Sequence, residues 1–244
     1  EAEAVSRLLR IAQAAQCPVV IVHLTNREAL REVEHARQRG QTVYVETCPQ
    51  YLLLDESVYF NPDWSSAARY VCAPPIRAKE EQDALWKALR RGEIQTISTD
   101  HCSFTLAQKE LGREDFTRIP GGLPGVETRG ELIYSYGVAR KRISAARMCR
   151  LLSENPAKLY GLFPRKGILR PGSDADIVVY DPGPSHVIEA SDCVANVDYN
   201  PYEGFVTAGG IRQVWLNGRL CVNQGTVLDE TPQGQFIARG KCSL

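Results

Sequence analysis

The 244-residue chain has a single methionine, Met148, no net charge (29 Lys+Arg against 29 Asp+Glu) and no long apolar run. Balanced charge excludes a global basic field for nucleic acid and an acidic tail. The longest apolar stretch, Pro18 to Val22 and on through His23-Leu24, is far too short to span a bilayer. The opening Glu1-Ala2-Glu3-Ala4 lacks the charged-then-apolar order of a signal peptide. With no initiator Met, the chain is expected to begin inside a longer or processed polypeptide. None of the eight cysteines forms a CxxC pair, which excludes a zinc ribbon and a thioredoxin-like motif. Several lie in apolar segments as small hydrophobes, which points to a reducing cytoplasm. A Gly-rich phosphate loop, a GxSxG elbow and an HExxH helix are also missing. Hydrophobic residues (43%) and charged residues (24%) stand at ordinary globular values, so wholesale disorder is excluded.

The first hundred residues alternate between two periodicities. Ala4, Leu8, Leu9, Ile11, Ala12 and Ala15 recur at helical spacing, and Pro18 ends that helix. Val19-Val20-Ile21-Val22 is a β-branched run of the kind buried on both faces in a parallel sheet. Asn26 offers an N-cap for a helix reaching Gly40, and Thr42-Val43-Tyr44-Val45 reads as a second buried strand. After an irregular stretch around Pro62, a helix over 79–91 closes on Gly92, and Ile94 to Thr99 is a third strand. Strand, helix, strand, helix, strand is the signature of a parallel α/β fold. Pro120-Gly121-Gly122-Leu123-Pro124-Gly125 is a loop able to approach a ligand. Helices are predicted over 126–140 and 144–152, with a shorter one from Asn155-Pro156 to Gly161. From Lys166 the texture changes: a strand over 175–182 precedes two apolar runs flanking Asn217-Gly218, the strongest hairpin signal in the chain.

Chemistry in parallel α/β folds sits at the C-terminal ends of strands. There the sequence places His23, the segment Glu46-Thr47-Cys48, and Thr99-Asp100-His101. Neutral imidazole is the commonest metal ligand, and a carboxylate at a strand end must be paired, hydrogen-bonded or metal-bound. His23 and Asp100 together therefore suggest a metal, although a core histidine and a helix-capping carboxylate are the plain alternatives. His101, next to Asp100, should point the other way on an extended backbone and is at most a supporting group. His35 lies on a charged helix face, His186 in the β region, and both read as surface residues, as do Lys109 and Glu110. Two ligands do not close a zinc site, which needs about three protein ligands plus water.

Several blocks carry a resemblance. They are Val22-His23-Leu24-Thr25, Glu46-Thr47-Cys48-Pro49-Gln50-Tyr51-Leu52, Ala73-Pro74-Pro75-Ile76-Arg77 and Thr99-Asp100-His101-Cys102-Ser103-Phe104. Further along come Gln108-Lys109-Glu110-Leu111-Gly112-Arg113, Asp115 to Pro120, Pro164-Arg165-Lys166-Gly167 and Gly172-Ser173-Asp174-Ala175-Asp176. Over almost the whole chain the sequence resembles the hydantoinase and dihydropyrimidinase family of cyclic amidohydrolases. That resemblance implies an α/β fold: the second half of a metal-dependent-hydrolase (β/α)8 TIM-type barrel, with a C-terminal β-sandwich segment. Residues 1–165 would supply the last three barrel strands and their helices, 166–226 the sandwich segment, and 227–244 a C-terminal arm. A closed barrel needs about 250 residues, more than this chain devotes to it.

The family's site implies two zinc ions, with His23 and Asp100 among the ligands. The other ligands, including a carboxylated lysine, have no counterpart in this chain. Asp100 would also shuttle the proton from the attacking water to the departing amide nitrogen. Backbone groups at Ala73 and Gly121 would read the planar ring; the family usually carries Ser and Asn there, so this sequence departs at both. The implied activity is zinc-dependent opening of 5,6-dihydropyrimidines or 5-substituted hydantoins, as in pyrimidine catabolism, with this chain alone incomplete and inactive. The implied partners are a small cyclic amide and further copies in a homo-oligomer, dimer or tetramer, with no nucleic acid and no membrane. Two other readings stay open: an allantoinase or dihydroorotase type of enzyme, and a non-catalytic assembly protein like the collapsin-response proteins. The second lacks the strand-end His and Asp, whereas both are present here.

Overall fold

The computed structural model describes residues 1–183, 185–228 and 234–244. Its contacts divide the chain into two units, Glu1–Arg129 with Ile188–Gly204, and Gly130–Val187 with Phe205–Leu244.

The first unit is built from helix α1 (Ala2–Ala14), strand β1 (Val19–Ile21), helix α2 (Arg27–Gln38) and strand β2 (Val43–Thr47). Short helices α3 (Pro49–Leu53) and α4 (Trp64–Ala68) follow, then α5 (Glu80–Arg91), strand β3 (Thr96–Ile97) and the single turn α6 (Leu106–Lys109). The strands are parallel in the order β1-β2-β3. Helix α1 buries Val5, Leu9 and Ala12, and α2 buries Ala29, Leu30, Val33 and Ala36, each set one stripe at helical spacing. Asn26 caps α2 by accepting from the Ala29 amide at 2.8 Å. Gly92 ends α5 at φ +89°, a left-handed cap that glycine adopts without a Cβ penalty.

Two expectations need correction. The first two strands are not buried on both faces. β2 alternates, with Val43, Val45 and Thr47 buried and Tyr44 and Glu46 half-buried, while Val22 beyond β1 is 43% exposed. A β-branched run reports strand propensity, whereas burial depends on what packs against each face. The stretch around Pro62 is also less irregular than expected. It carries the turns Pro49–Leu53, Glu56–Phe60 and Trp64–Ala68, the last two capped by Asp55 and Asp63 side chains.

The helix expected over 126–140 is instead α7 (Arg129–Ile133), all but its first residue in the second unit, continued by a π-helical segment, Tyr134–Ala139. The Ser135 hydroxyl donates to Glu131 O at 2.6 Å and accepts from the Ala208 amide at 2.8 Å. Helices α8 (Ala145–Cys149) and α9 (Asn155–Leu159) are joined by a second π-helical segment, Arg150–Glu154. A four-stranded antiparallel sheet follows, β4 (Ile177–Asp181), β5 (Gly210–Leu216), β6 (Arg219–Asn223) and β7 (Thr226–Val227). The Asn217-Gly218 turn joins β5 to β6, with φ +51° and +79° at its two residues, as a two-residue hairpin loop requires. Among the described residues no helix is long and apolar enough to cross a membrane.

Candidate active site at the strand ends

The chain leaves β1 at His23 and β3 at Asp100, and both residues hold left-handed backbone, φ +43° and +49°. Non-glycine residues rarely adopt that region, and such backbone concentrates at functional sites. The surrounding main chain holds it in place. Leu24 N donates to Glu46 O at 2.8 Å, the Thr47 hydroxyl to Leu24 O at 2.8 Å, and Ser98 N to Thr47 O at 3.0 Å. Beneath Asp100, the buried Gln50 side chain donates to Thr99 O at 3.3 Å.

Between the two stands Glu46, near the end of β2. Burial raises its carboxyl above the usual range; the Thr96 hydroxyl opposes the rise, the charge of Asp100 adds to it, and His23 and Arg129 oppose it. His23, Glu46 and Asp100 therefore share one electrostatic neighbourhood. Arg129, whose guanidinium is lowered chiefly by burial and held up by Glu46, donates to Ile97 O at 3.4 Å. The rule that flags Asp100, a carboxylate at a parallel strand's end, also covers Glu46. Arg129 carries no comparable signal in the sequence. Among the described residues no group of three or more His, Cys, Asp or Glu side chains is arranged to hold a metal. Imidazole and carboxylate suit a zinc-type ion in kind, but two of them fall short in number.

Two loops stand beside this face. Tyr51 donates to Pro74 O at 2.9 Å, after the cis Ala73–Pro74 bond, and the Cys72 thiol is pushed up to about 11, first by burial. Residues 120–123 lie against that segment. Gly122 N donates to Val71 O at 3.0 Å, and a methyl group on Gly121 would lie 3.8 Å from Ala73 N. At Gly122 a Cβ would come within 2.4 Å of Cys102 O, so only glycine fits. The structure thus brings Ala73 and Gly121 together, 48 residues apart in sequence.

The remaining candidates separate clearly. The ring of His101 accepts from the amides of Gly125 and Val126 at 3.1 and 3.3 Å and so anchors the following turn. His35 is exposed, as expected, and His186 is exposed but lies 3.4 Å from Glu131. Lys109 overturns its surface assignment: it is 1% exposed, and its ammonium donates to three backbone carbonyls. Those acceptors are main-chain atoms from distant segments, which no side-chain pattern announces.

Parallel strands joined by helices are the pattern of a parallel α/β fold, barrel or open sheet, in which ligand sites favour the C-terminal strand ends where His23 and Asp100 stand. Comparison with known proteins narrows the class. The amidohydrolase family model matches residues 1–221, and the chain belongs to that family. It is 44% identical over 243 residues to a D-hydantoinase of Streptomyces coelicolor, covering 99% of this chain and 52% of that protein. It is likewise 44% identical over 241 residues to a D-phenylhydantoinase of Escherichia coli, covering 98% of this chain and 52% of the relative. The solved structure of dihydropyrimidinase from Brevibacillus agri superposes with a TM-score of 0.91 at 42% identity, over 93% of this chain and 49% of that one. The L-hydantoinase of Arthrobacter aurescens gives 0.85 at 31% identity, again over 93% and 49%. The chain thus spans about half the length of these relatives, and its α/β fold is part of a (β/α)8 amidohydrolase barrel with a C-terminal β segment.

Proposed function

We propose that the protein to which this chain contributes is a hydrolase that opens cyclic amides, a 5,6-dihydropyrimidine or a 5-substituted hydantoin. The observation that carries this reading is the pair His23 and Asp100, in left-handed backbone at parallel strand ends, in a chain 44% identical to a D-hydantoinase. His23 and Asp100 would hold zinc, two ions being completed by ligands outside this chain, a carboxylated lysine among them. A metal held there would supply the Lewis acidity that lowers the pKa of a water towards neutrality. Asp100 takes up the water's proton at its carboxylate and returns it to the departing amide nitrogen, so that acid and base are one group. Backbone groups at Ala73 and Gly121 receive the flat ring edge. Their small side chains leave that edge open where relatives usually carry Ser and Asn.

In the same reading, residues 1–165 act as partial barrel, 166–226 as sandwich segment, and 227–244 as an arm that packs on another copy in a dimer or tetramer. The cysteine usage supports a reducing, cytoplasmic setting. Purified full-length protein, loaded with zinc and assayed for ring opening of dihydrouracil and of 5-substituted hydantoins, tests the reading. Measurable turnover of either class supports it; metal-loaded protein inert towards both overturns it.

A further inference from the structure

Lys109 is one of the most buried side chains in the molecule, 1% exposed, and it carries a charge. Its ammonium has three N–H donors and meets three acceptors, Val71 O at 2.8 Å, Pro120 O at 2.6 Å and Gly122 O at 3.0 Å. Among the described residues it forms no salt bridge; Cys72 and Cys102 are the titratable groups it senses, and burial keeps Cys72 a neutral thiol. The Phe104 ring lies 5.5 Å from the nitrogen. Burial brings the lysine down to about 8, so at pH 7 it is still mainly an ammonium. A buried cation with no anion beside it is costly, and here its hydrogen-bond compensation comes from main-chain carbonyls, with the Phe104 ring adding a cation–π contact.

Those carbonyls belong to the two loops that bear Ala73 and Gly121. The 71–72, 120–121 and 122–123 peptides are trans. In a planar trans peptide the N–H points opposite to the C=O. With the carbonyls of Val71, Pro120 and Gly122 turned onto Nζ, the amides of Cys72, Gly121 and Leu123 must face away from it. The lysine therefore sets the orientation of three peptide planes at once, in a loop where glycines would otherwise allow several. Its own position is firm. Thr105 and Gln108 form a capping box at the start of α6, Leu106 N donates to Asp198 at 2.9 Å, and Glu110 takes the Ser65 hydroxyl at 2.7 Å.

We propose that Lys109 is a positioning residue which locks the 71–73 and 120–123 loops in the orientation that receives the cyclic amide. This deepens the proposed function and rests on it for the identity of the ring.

The test is Lys109→Met in the full-length, metal-loaded enzyme, since methionine keeps the stem and removes the donors. KM for dihydrouracil or a 5-substituted hydantoin should rise about tenfold or more, from the loss of buried hydrogen bonds. Meanwhile kcat should stay within about threefold, because the reacting groups are untouched, and bound metal should match the parent. A lowered melting temperature with KM unchanged, or a fall in kcat alone, would mean that Lys109 serves folding or chemistry instead, and either overturns the proposal. If the parent itself opens no ring, the functional reading fails, and the positioning role is judged by hydrogen exchange. Lys109→Met should then speed exchange at the Gly122 amide, and an unchanged rate overturns the role. Should Lys109→Met not accumulate, Lys109→Gln, which keeps two N–H donors, is read on the same scales. If neither accumulates, a ring analogue added to the parent should protect both loops together, and protection of only one or of neither overturns the idea.

Discussion

Asp100→Asn in the full-length enzyme separates chemistry from folding, because the backbone at this position tolerates the change. Asp100 sits at φ +49°, a region where asparagine is among the few residues at ease, and its side chain is exposed. An exposed substitution that keeps shape and backbone should change stability by no more than about 0.5 kcal/mol. On the proposed reading, the change removes a charged ligand and a proton carrier. The proton transfer alone contributes about 10²–10⁴-fold, equivalent to roughly 3–5 kcal/mol of barrier, and weakened metal binding adds to that. There is a second electrostatic consequence. The charge of Asp100 helps raise the Glu46 carboxyl, so its removal should let Glu46 ionise more readily. The assay is kcat for ring opening, with metal content and circular dichroism measured on the same preparation. Turnover within about tenfold of the parent, at equal metal content, would refute the assigned role, since general acid–base catalysis is worth more than that. Asp100→Ala is the useful contrast: it should lose activity and also stability, because alanine is strained at this φ.

Other outcomes follow from the same structure. Arg37 on α2 donates twice to Val43 O (3.0 and 2.8 Å), to Glu93 O at 2.8 Å and to the Gln95 side chain at 2.8 Å. Arg37→Met should therefore cost about 2–3 kcal/mol, read from the folding and unfolding rates of the full-length protein together; both rates unchanged would show that the contacts carry little energy. A verified 244-residue product, offering two suitable donors among its described residues, should bind no dinuclear zinc and open no ring; turnover of dihydrouracil by that product would contradict the incomplete-site reading. Truncation after Thr231, a position outside the described residues, should shift the light-scattering mass towards smaller species. Phe236 is 93% exposed, and covering it and Ile237 on another copy would stabilise assembly at about 25 cal/mol per Å². An oligomer mass unchanged across dilution would mean that the tail is dispensable. Its last residues have local ties of their own, Gly240 N to Gly161 O at 2.7 Å and Ser243 N to Lys158 O at 3.0 Å.

The sequence by itself determined whatever depends on near neighbours. The Asn26 cap, the Gly92 stop, the Asn217-Gly218 hairpin and the strand–helix alternation each rest on residues within a turn or two of one another. The same logic put His23 and Asp100 at the ends of their strands, since the polarity of a parallel strand decides which end meets the next loop. Tertiary structure alone decided the rest. It left Val19 and Val20 of β1 half-buried, continued α7 as a π-helical segment from Tyr134, laid Gly121 beside Ala73, and buried the ammonium of Lys109. The physical reason is the same in each case. Burial is set by what packs against a residue. The acceptors of Lys109 are peptide carbonyls 38, 11 and 13 residues away, groups that every residue carries and that only the folded chain can aim at one point.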